Sequence, residues 1–144
     1  MIFILDCSVA ISWCLADENN DYANAIYTIF SGGHQALVPT FFWLEISNVL
    51  WVAERRNRNT REETETAIKL LQQLPIIVDI KPVSETITAT LNLARQYNIA
   101  TYDAAYLELA IREGFLLATV DDKLAKAAQN QDIFLENPNI ESLL

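Results

Sequence analysis

The sequence has 144 residues, a length that suits a single domain over residues 1–144. Hydrophobic residues make up 51% and charged residues 20%, so the chain can build a buried core and a disordered class is excluded. The formal net charge of −9 argues against non-specific binding of nucleic acid through a basic surface. It leaves open an acidic cluster that a bound metal ion neutralises.

The chain has two cysteines, Cys7 and Cys14, and one histidine, so the usual Cys/His zinc site is excluded. Two reduced thiols are favoured over a disulfide. The N-terminal segment lacks the basic residues and long apolar run of a signal peptide. No apolar stretch approaches the roughly 20 residues that span a bilayer. We therefore expect a cytoplasmic protein with no membrane partner.

Hydrophobic periodicity predicts strands that alternate with helices along the chain. The predicted elements are a strand at Met1–Leu5, helices at Ser8–Ala16 and Asp21–Phe30, a strand at Ala36–Val38, a helix from a Thr40 cap to about Arg56, a helix from the capping box Thr60–Glu63 to about Gln73, a strand at Ile76–Ile80, a helix from a Ser84 cap to Tyr97, a helix at Asp103–Glu113, a strand at Leu116–Val120, a helix at Lys123–Gln129 and a fifth strand at Ile133–Leu135. This alternation predicts an α/β sandwich with a parallel sheet, without settling the strand order.

Four acids fall where such a sheet binds ligands, at the carboxyl ends of its strands. Asp6 directly follows the first strand and Asp121 the fourth, while Glu45 and Asp103 lie at the starts of two helices. Glu45 interrupts an apolar run, where a charge should be paired or bound to a metal. Helix capping by Asp103 and by Asp121 or Asp122, with Asp6 as a turn residue, is the structural alternative.

Four acids at one sheet edge would repel each other without a cation, and carboxylate oxygens favour Mg²⁺ or Mn²⁺. A cation held there can activate water for attack on a phosphodiester. Ser8 and Asn48 are candidates to orient a carboxylate or a metal-bound water, although Ser8 is more typical of a helix cap. Candidate phosphate contacts are Lys123, Arg55 and Arg56, the two arginines equally suiting the C-terminus of a helix.

Four stretches in this order resemble the PIN domain family, and within it the VapC-like toxins of toxin–antitoxin pairs. They are Ile4–Val9, Glu45–Leu50, Thr101–Leu107 and Leu117–Asp121. The resemblance implies a three-layer α/β/α sandwich with about five strands in the order 3-2-1-4-5. It also implies that Asp6, Glu45, Asp103 and Asp121, rather than Asp122, bind one or two Mg²⁺ or Mn²⁺ ions and cleave RNA.

The resemblance further implies a homodimer and a cognate antitoxin, and Thr119 joins the supporting residues through the fourth stretch. Cys7 stands where the family usually has a small residue. Two other functions stay open: a PIN-type RNA-processing nuclease that is not a toxin, and a non-catalytic binding module whose acids only cap helices. Phosphotransfer through Asp6 is disfavoured, because dehalogenase-like domains want a second acid where Ser8 stands. A dinucleotide site is disfavoured because no glycine-rich turn follows the first strand.

Overall fold

The structure is a computed structural model that describes residues 1–136; the last eight residues of the predicted domain, 137–144, lie outside the described part. The strands are β1 (Ile2–Leu5), β2 (Gln35–Val38), β3 (Ile76–Val78) and β4 (Leu117–Ala118). All pair in parallel, in the order β3-β2-β1-β4. β1 lies at the centre, and its residues Phe3, Ile4 and Leu5 are fully buried, as expected for a parallel strand covered on both faces.

Seven α-helices surround this sheet in the described part of the chain. They are α1 (Cys7–Cys14), α2 (Asp21–Ile29), α3 (Phe42–Arg55), α4 (Arg61–Gln72), α5 (Val83–Tyr97), α6 (Thr101–Glu113) and α7 (Asp122–Asn130). One group of helices packs around α1, which contacts α2, α3 and α4. A second group packs around α6, which contacts α5, α7 and the central strand β1. The predicted α/β/α fold is therefore confirmed.

Local signals set several helix ends as predicted. Thr60 and Glu63 form a complete capping box at the start of α4, each side chain bonding the other's backbone N–H. α6 ends at Gly114, whose φ of 71° is in the left-handed region that glycine adopts without strain. Both cysteines are free, with Cys7 buried and Cys14 half-buried.

The N-caps of three helices differ from the predicted ones by one to three residues. The N-cap positions of α3, α5 and α6 are Phe41, Pro82 and Ala100, and none makes a side-chain capping bond. Thr40 and Ser84 are therefore not the caps, and Asp103 lies inside the first turn of α6. The alternative in which Asp103 caps α6 is accordingly wrong, and its carboxylate is available for another contact.

In residues 1–136 the sheet has four strands rather than the predicted five, and three strands are shorter than predicted. β1 begins one residue later, while β3 and β4 each end two residues earlier. β3 ends at Val78 because the Asp79 side chain accepts a hydrogen bond from Lys81 N, which turns the chain. β4 ends at Ala118 because the next backbone N–H groups, of Val120 and Asp121, donate to side-chain hydroxyls instead of to a strand. In place of a fifth strand, residue Phe134 forms one isolated parallel bridge with Leu117.

An ion-paired arginine ties the end of β3 to α6. Arg112 donates to Asp79 at 2.7 Å and to Glu108 at 2.9 Å, and all three side chains are at most 20% exposed.

Among the helices that the structure describes, none is long and apolar enough to cross a membrane.

Candidate active site

The strand order reverses beside β1, which pairs with β2 on one edge and β4 on the other. Asp6 follows β1 directly, and Thr119, Val120 and Asp121 follow β4. Parallel sheets open a crevice at this reversal, outside the carboxyl ends of the strands. The fold thus brings the two chain segments together at the edge where ligands bind.

The crevice is a pocket of about 320 Å³ that contains all four predicted acids. Its described lining consists of Asp6, Cys7, Ser8, Ile11, Glu18, Glu45, Val49, Asp103, Val120 and Asp121. Five of these are acids and none is a lysine, arginine or histidine. The fifth acid, Glu18, was not predicted; it is paired with Arg58 at 3.2 Å, an arginine outside the lining.

Asp6 is the most buried of these acids, with 3% of its surface exposed. Its Oδ2 accepts hydrogen bonds from Ser8 Oγ at 2.5 Å and from Thr119 Oγ1 at 2.8 Å. No residue of the described chain donates to Oδ1, which leaves that oxygen for the pocket. Burial raises the pKa of Asp6 to about 7, and the Asp103 and Glu45 charges add to this while the two hydroxyls oppose it.

Ser8 and Thr119 form a small network that joins the two strand ends across the crevice. Ser8 lies inside α1, so the expectation that it caps this helix is wrong. Its hydroxyl donates to Asp6 and accepts from Val120 N at 3.2 Å. Thr119 Oγ1 donates to Asp6 and accepts from Asp121 N at 3.0 Å. Two of the three predicted supporting residues, Ser8 and Thr119, therefore contact the site.

Glu45 is half-buried near the start of α3, where its Oε1 accepts a hydrogen bond of 2.6 Å from the hydroxyl of Tyr106. The prediction did not assign Tyr106 a role. The sequence feature that could have indicated a role for Tyr106 is its spacing on α6, because it lies three residues after Asp103 and hence near the same helix face. The Cys7 thiol lines the pocket beside them, and burial raises its pKa well above the usual range, so it stays protonated.

The other two acids flank the opening of the pocket. Asp103 is half-buried, and its pKa is raised first by burial and then by the charges of Asp121 and Glu45. Asp121 is the N-cap of α7, accepting from Leu124 N at 2.8 Å through Oδ1. Capping and pocket lining therefore coexist in Asp121, while Asp122 begins α7 and lies outside the lining.

The remaining predicted residues are not brought to this pocket. Asn48 is exposed, and Val49, four residues after Glu45, takes the lining position on that face of α3. Lys123 lines a separate pocket with Tyr97 and Lys126. At the end of α3, the Arg55 guanidinium lies 5.5 Å from the Trp51 ring centroid and Arg56 is exposed at the C-cap. Their predicted contact with RNA stays a prediction.

The donor chemistry of the pocket suits a hard divalent cation. Within residues 1–136, no three Asp, Glu, Cys or His side chains already converge as a metal-binding group. Mg²⁺, however, keeps several waters and is commonly held by one or two carboxylates, so a pocket of about 320 Å³ can take it hydrated. The four predicted acids have no ion-pair partner in the described chain, and such an ion would offset their negative charge.

The fold and this acidic crevice define a class of protein. A family model of the PIN domain matches residues 3–130, and the chain belongs to that family. The resemblance found in the sequence is thereby confirmed.

Individual relatives agree with this assignment. The chain is 24% identical to Ribonuclease VapC3 of Pyrobaculum aerophilum over 126 residues, covering 88% of this chain and 94% of that protein. It is similar in structure to PAE2754 from Pyrobaculum aerophilum, with a TM-score of 0.67 and 19% identity, covering 99% of this chain and 86% of the other. It is also similar to FitAcB from Neisseria gonorrhoeae, with a TM-score of 0.61 and 22% identity, covering 96% and 98%. At these identities the two solved structures show a shared fold alone.

Proposed function

We propose that the protein is a metal-dependent endoribonuclease that hydrolyses RNA phosphodiester bonds with Mg²⁺ or Mn²⁺. The observation that carries this proposal is the single pocket lined by Asp6, Glu45, Asp103 and Asp121 in a PIN-domain chain. The similarity to Ribonuclease VapC3 supports RNA as the substrate class.

In this proposal the four acids would hold the cation, which would supply an activated water and offset charge that develops on the phosphate. The chain's own part is to hold the carboxylates in place. Ser8 and Thr119 fix Asp6 through Oδ2 and leave Oδ1 without a donor from the described chain. One of these carboxylates would accept the proton of the attacking water.

The test is cleavage of a mixed RNA pool by the purified protein with Mn²⁺ or Mg²⁺. Asp6→Asn keeps the size of the side chain and removes its charge, so it should abolish cleavage, as should EDTA. Asp122→Asn is the matched control, because Asp122 is exposed and outside the lining; it should cut like the wild type. Equal cleavage by wild type and Asp6→Asn would refute the proposal and favour the non-catalytic binding module.

We further propose that this nuclease is the cytoplasmic toxin of a pair with a cognate antitoxin, as the resemblance to VapC-like proteins implies. Induced expression in a bacterial host separates this role from RNA processing. A toxin should arrest growth when its acids are intact and should not do so as Asp6→Asn. Growth unaffected by an active, soluble wild-type enzyme would favour a processing nuclease.

A homodimer is part of the same proposal, and an apolar groove between α5 and α6 supports it. Val83, Ile87, Leu91 and Tyr102 line this groove, and each is 38–63% exposed. Contiguous exposed apolar side chains of this kind mark association surfaces. Ile87→Glu should give a monomer in light scattering, whereas Leu70→Glu on α4, equally exposed but outside the groove, should not change the mass.

A further inference from the structure

Tyr106 is a buried polar side chain for which the proposed reaction has so far no role. It is fully buried on α6, and its hydroxyl makes a hydrogen bond of 2.6 Å to Glu45 Oε1. The phenolic hydroxyl is the donor in this contact and the Glu45 carboxylate oxygen is the acceptor.

We propose that Tyr106 is a positioning residue, which orients the Glu45 carboxylate so that its second oxygen faces the cation in the pocket. This inference rests on the proposed metal-dependent function. The Tyr106 hydroxyl is the oxygen donor to the Glu45 side chain, beside the weaker thiol donor of Cys7. A glutamate has three rotatable side-chain bonds, and a donor on one oxygen selects the rotamers that direct the other oxygen into the pocket.

The tyrosine ring is itself held firmly, which a positioning residue requires. The Phe41 ring meets it edge-on, with centroids 5.8 Å apart and planes at 89°. Phe41 is also the N-cap residue of α3, the helix that carries Glu45 four residues later. The hydroxyl and the carboxylate are therefore fixed to each other through ring packing as well as through the hydrogen bond.

Helix α6 carries one proposed metal ligand, Asp103, and, one turn later, the positioning residue of another ligand, Glu45. Asp103 lies in the first turn of α6 and lines the pocket, and Tyr106 follows three residues later. Any tilt of α6 would thus move Asp103 and, through Tyr106, Glu45 together. Groups that hydrogen-bond a metal-ligating side chain typically contribute about 10–100-fold to metal affinity.

Tyr106→Phe removes the hydroxyl and keeps the ring in its contact with Phe41. Tyr102→Phe is the matched control, because Tyr102 lies one turn earlier on α6, meets the same Phe41 ring at 5.4 Å and is 63% exposed. The measurement is a titration of the intact protein with Mn²⁺, followed by thermal stabilisation and by calorimetry, with no RNA present. The melting temperature in EDTA is recorded for each variant as the metal-free baseline.

We expect the Mn²⁺ concentration at half-saturation to rise at least about ten-fold in Tyr106→Phe and to stay unchanged in Tyr102→Phe. In a Glu45→Gln background, the further change to Tyr106→Phe should have little effect on Mn²⁺ binding, because the two residues act as one unit. With RNA, excess Mn²⁺ should restore most of the cleavage rate of Tyr106→Phe.

Two results would overturn the inference, and they are distinguishable. If wild type binds Mn²⁺ and Tyr106→Phe binds it equally, the hydrogen bond is only structural, even where the melting temperature in EDTA falls. If wild type itself shows no Mn²⁺ binding, the metal-dependent function fails, and the positioning role fails with it.

Discussion

Asp6 should destabilise the metal-free protein at neutral and alkaline pH, and Asp6→Asn should therefore stabilise it. Burial raises the pKa of this carboxyl from 3.8 to about 7. An acid with a raised pKa stabilises the fold below its unfolded value, and this stabilisation is lost as the pH rises through the folded value. The free energy of unfolding of wild type should thus fall between pH 4 and pH 7, and Asp6→Asn should lack this part of the fall.

The size of the effect follows from the pKa change. The pKa rises by about three, and each pKa unit corresponds to roughly 1.36 kcal/mol, so the free energy of unfolding of wild type should fall by about 4 kcal/mol between pH 4 and pH 8. For a chain of this length, each kcal/mol moves the melting temperature by roughly 2–4 °C, so the variant should gain on the order of 10 °C relative to wild type. Asparagine can still accept from Ser8 and Thr119 through its own side-chain oxygen, which keeps the network intact.

The assay is thermal unfolding of both proteins in EDTA at pH 4 and pH 8. Asp122→Asn is the control, since Asp122 is exposed and outside the pocket lining, and its melting temperature should follow that of wild type at both pH values. Added Mn²⁺ should raise the melting temperature of wild type at pH 8 far more than that of Asp6→Asn. A pH-independent difference between wild type and Asp6→Asn would refute the reasoning, as would an Asp6→Asn that is less stable at pH 8.

Two further changes test the contacts around the site. Thr119→Val removes a buried donor to the Asp6 carboxylate, so in EDTA it should lower the free energy of unfolding in urea by about 2 kcal/mol, and by more at pH 8 than at pH 4. The control Thr66→Val changes an exposed threonine and should lower it far less. A loss that does not depend on pH would contradict the role of that bond. Arg112→Gln leaves two largely buried carboxylates unpaired and should lower the free energy of unfolding by about 3 kcal/mol. Arg61→Gln, in an exposed ion pair, should lower it by roughly 0.5 kcal/mol or less. Equal urea midpoints for the two variants would refute this prediction.

Local signals in the sequence predicted the elements of the fold well. The capping box of Thr60 and Glu63 and the glycine stop at Gly114 act within a few residues, so they can be read directly. Strand ends were less predictable, because they depend on distant groups. β4 ends where Val120 N finds the hydroxyl of Ser8, which is 112 residues away along the chain.

The candidate site divides in the same way. Asp6 and Asp121 could be placed by their position after strands, since the sheet rule is general. The hydrogen-bond partner of Glu45 could not be predicted, because Tyr106 is 61 residues away along the chain. A tyrosine in an apolar helix is also typical of a core residue. The basic residues were placed by proximity in sequence alone, and helix geometry directs Lys123 to another pocket, lined also by Tyr97.

The negative charge of the chain is consistent with a nuclease once the pocket is considered. Five acids line it in the described part and only Glu18 has a basic partner, so a phosphodiester would meet mainly like charge there. A divalent cation changes this, because it offsets two of those charges at the point where the phosphate must lie. In the proposed function, RNA should therefore bind productively only after the cation, and the net charge of −9 then limits non-specific RNA binding without excluding cleavage.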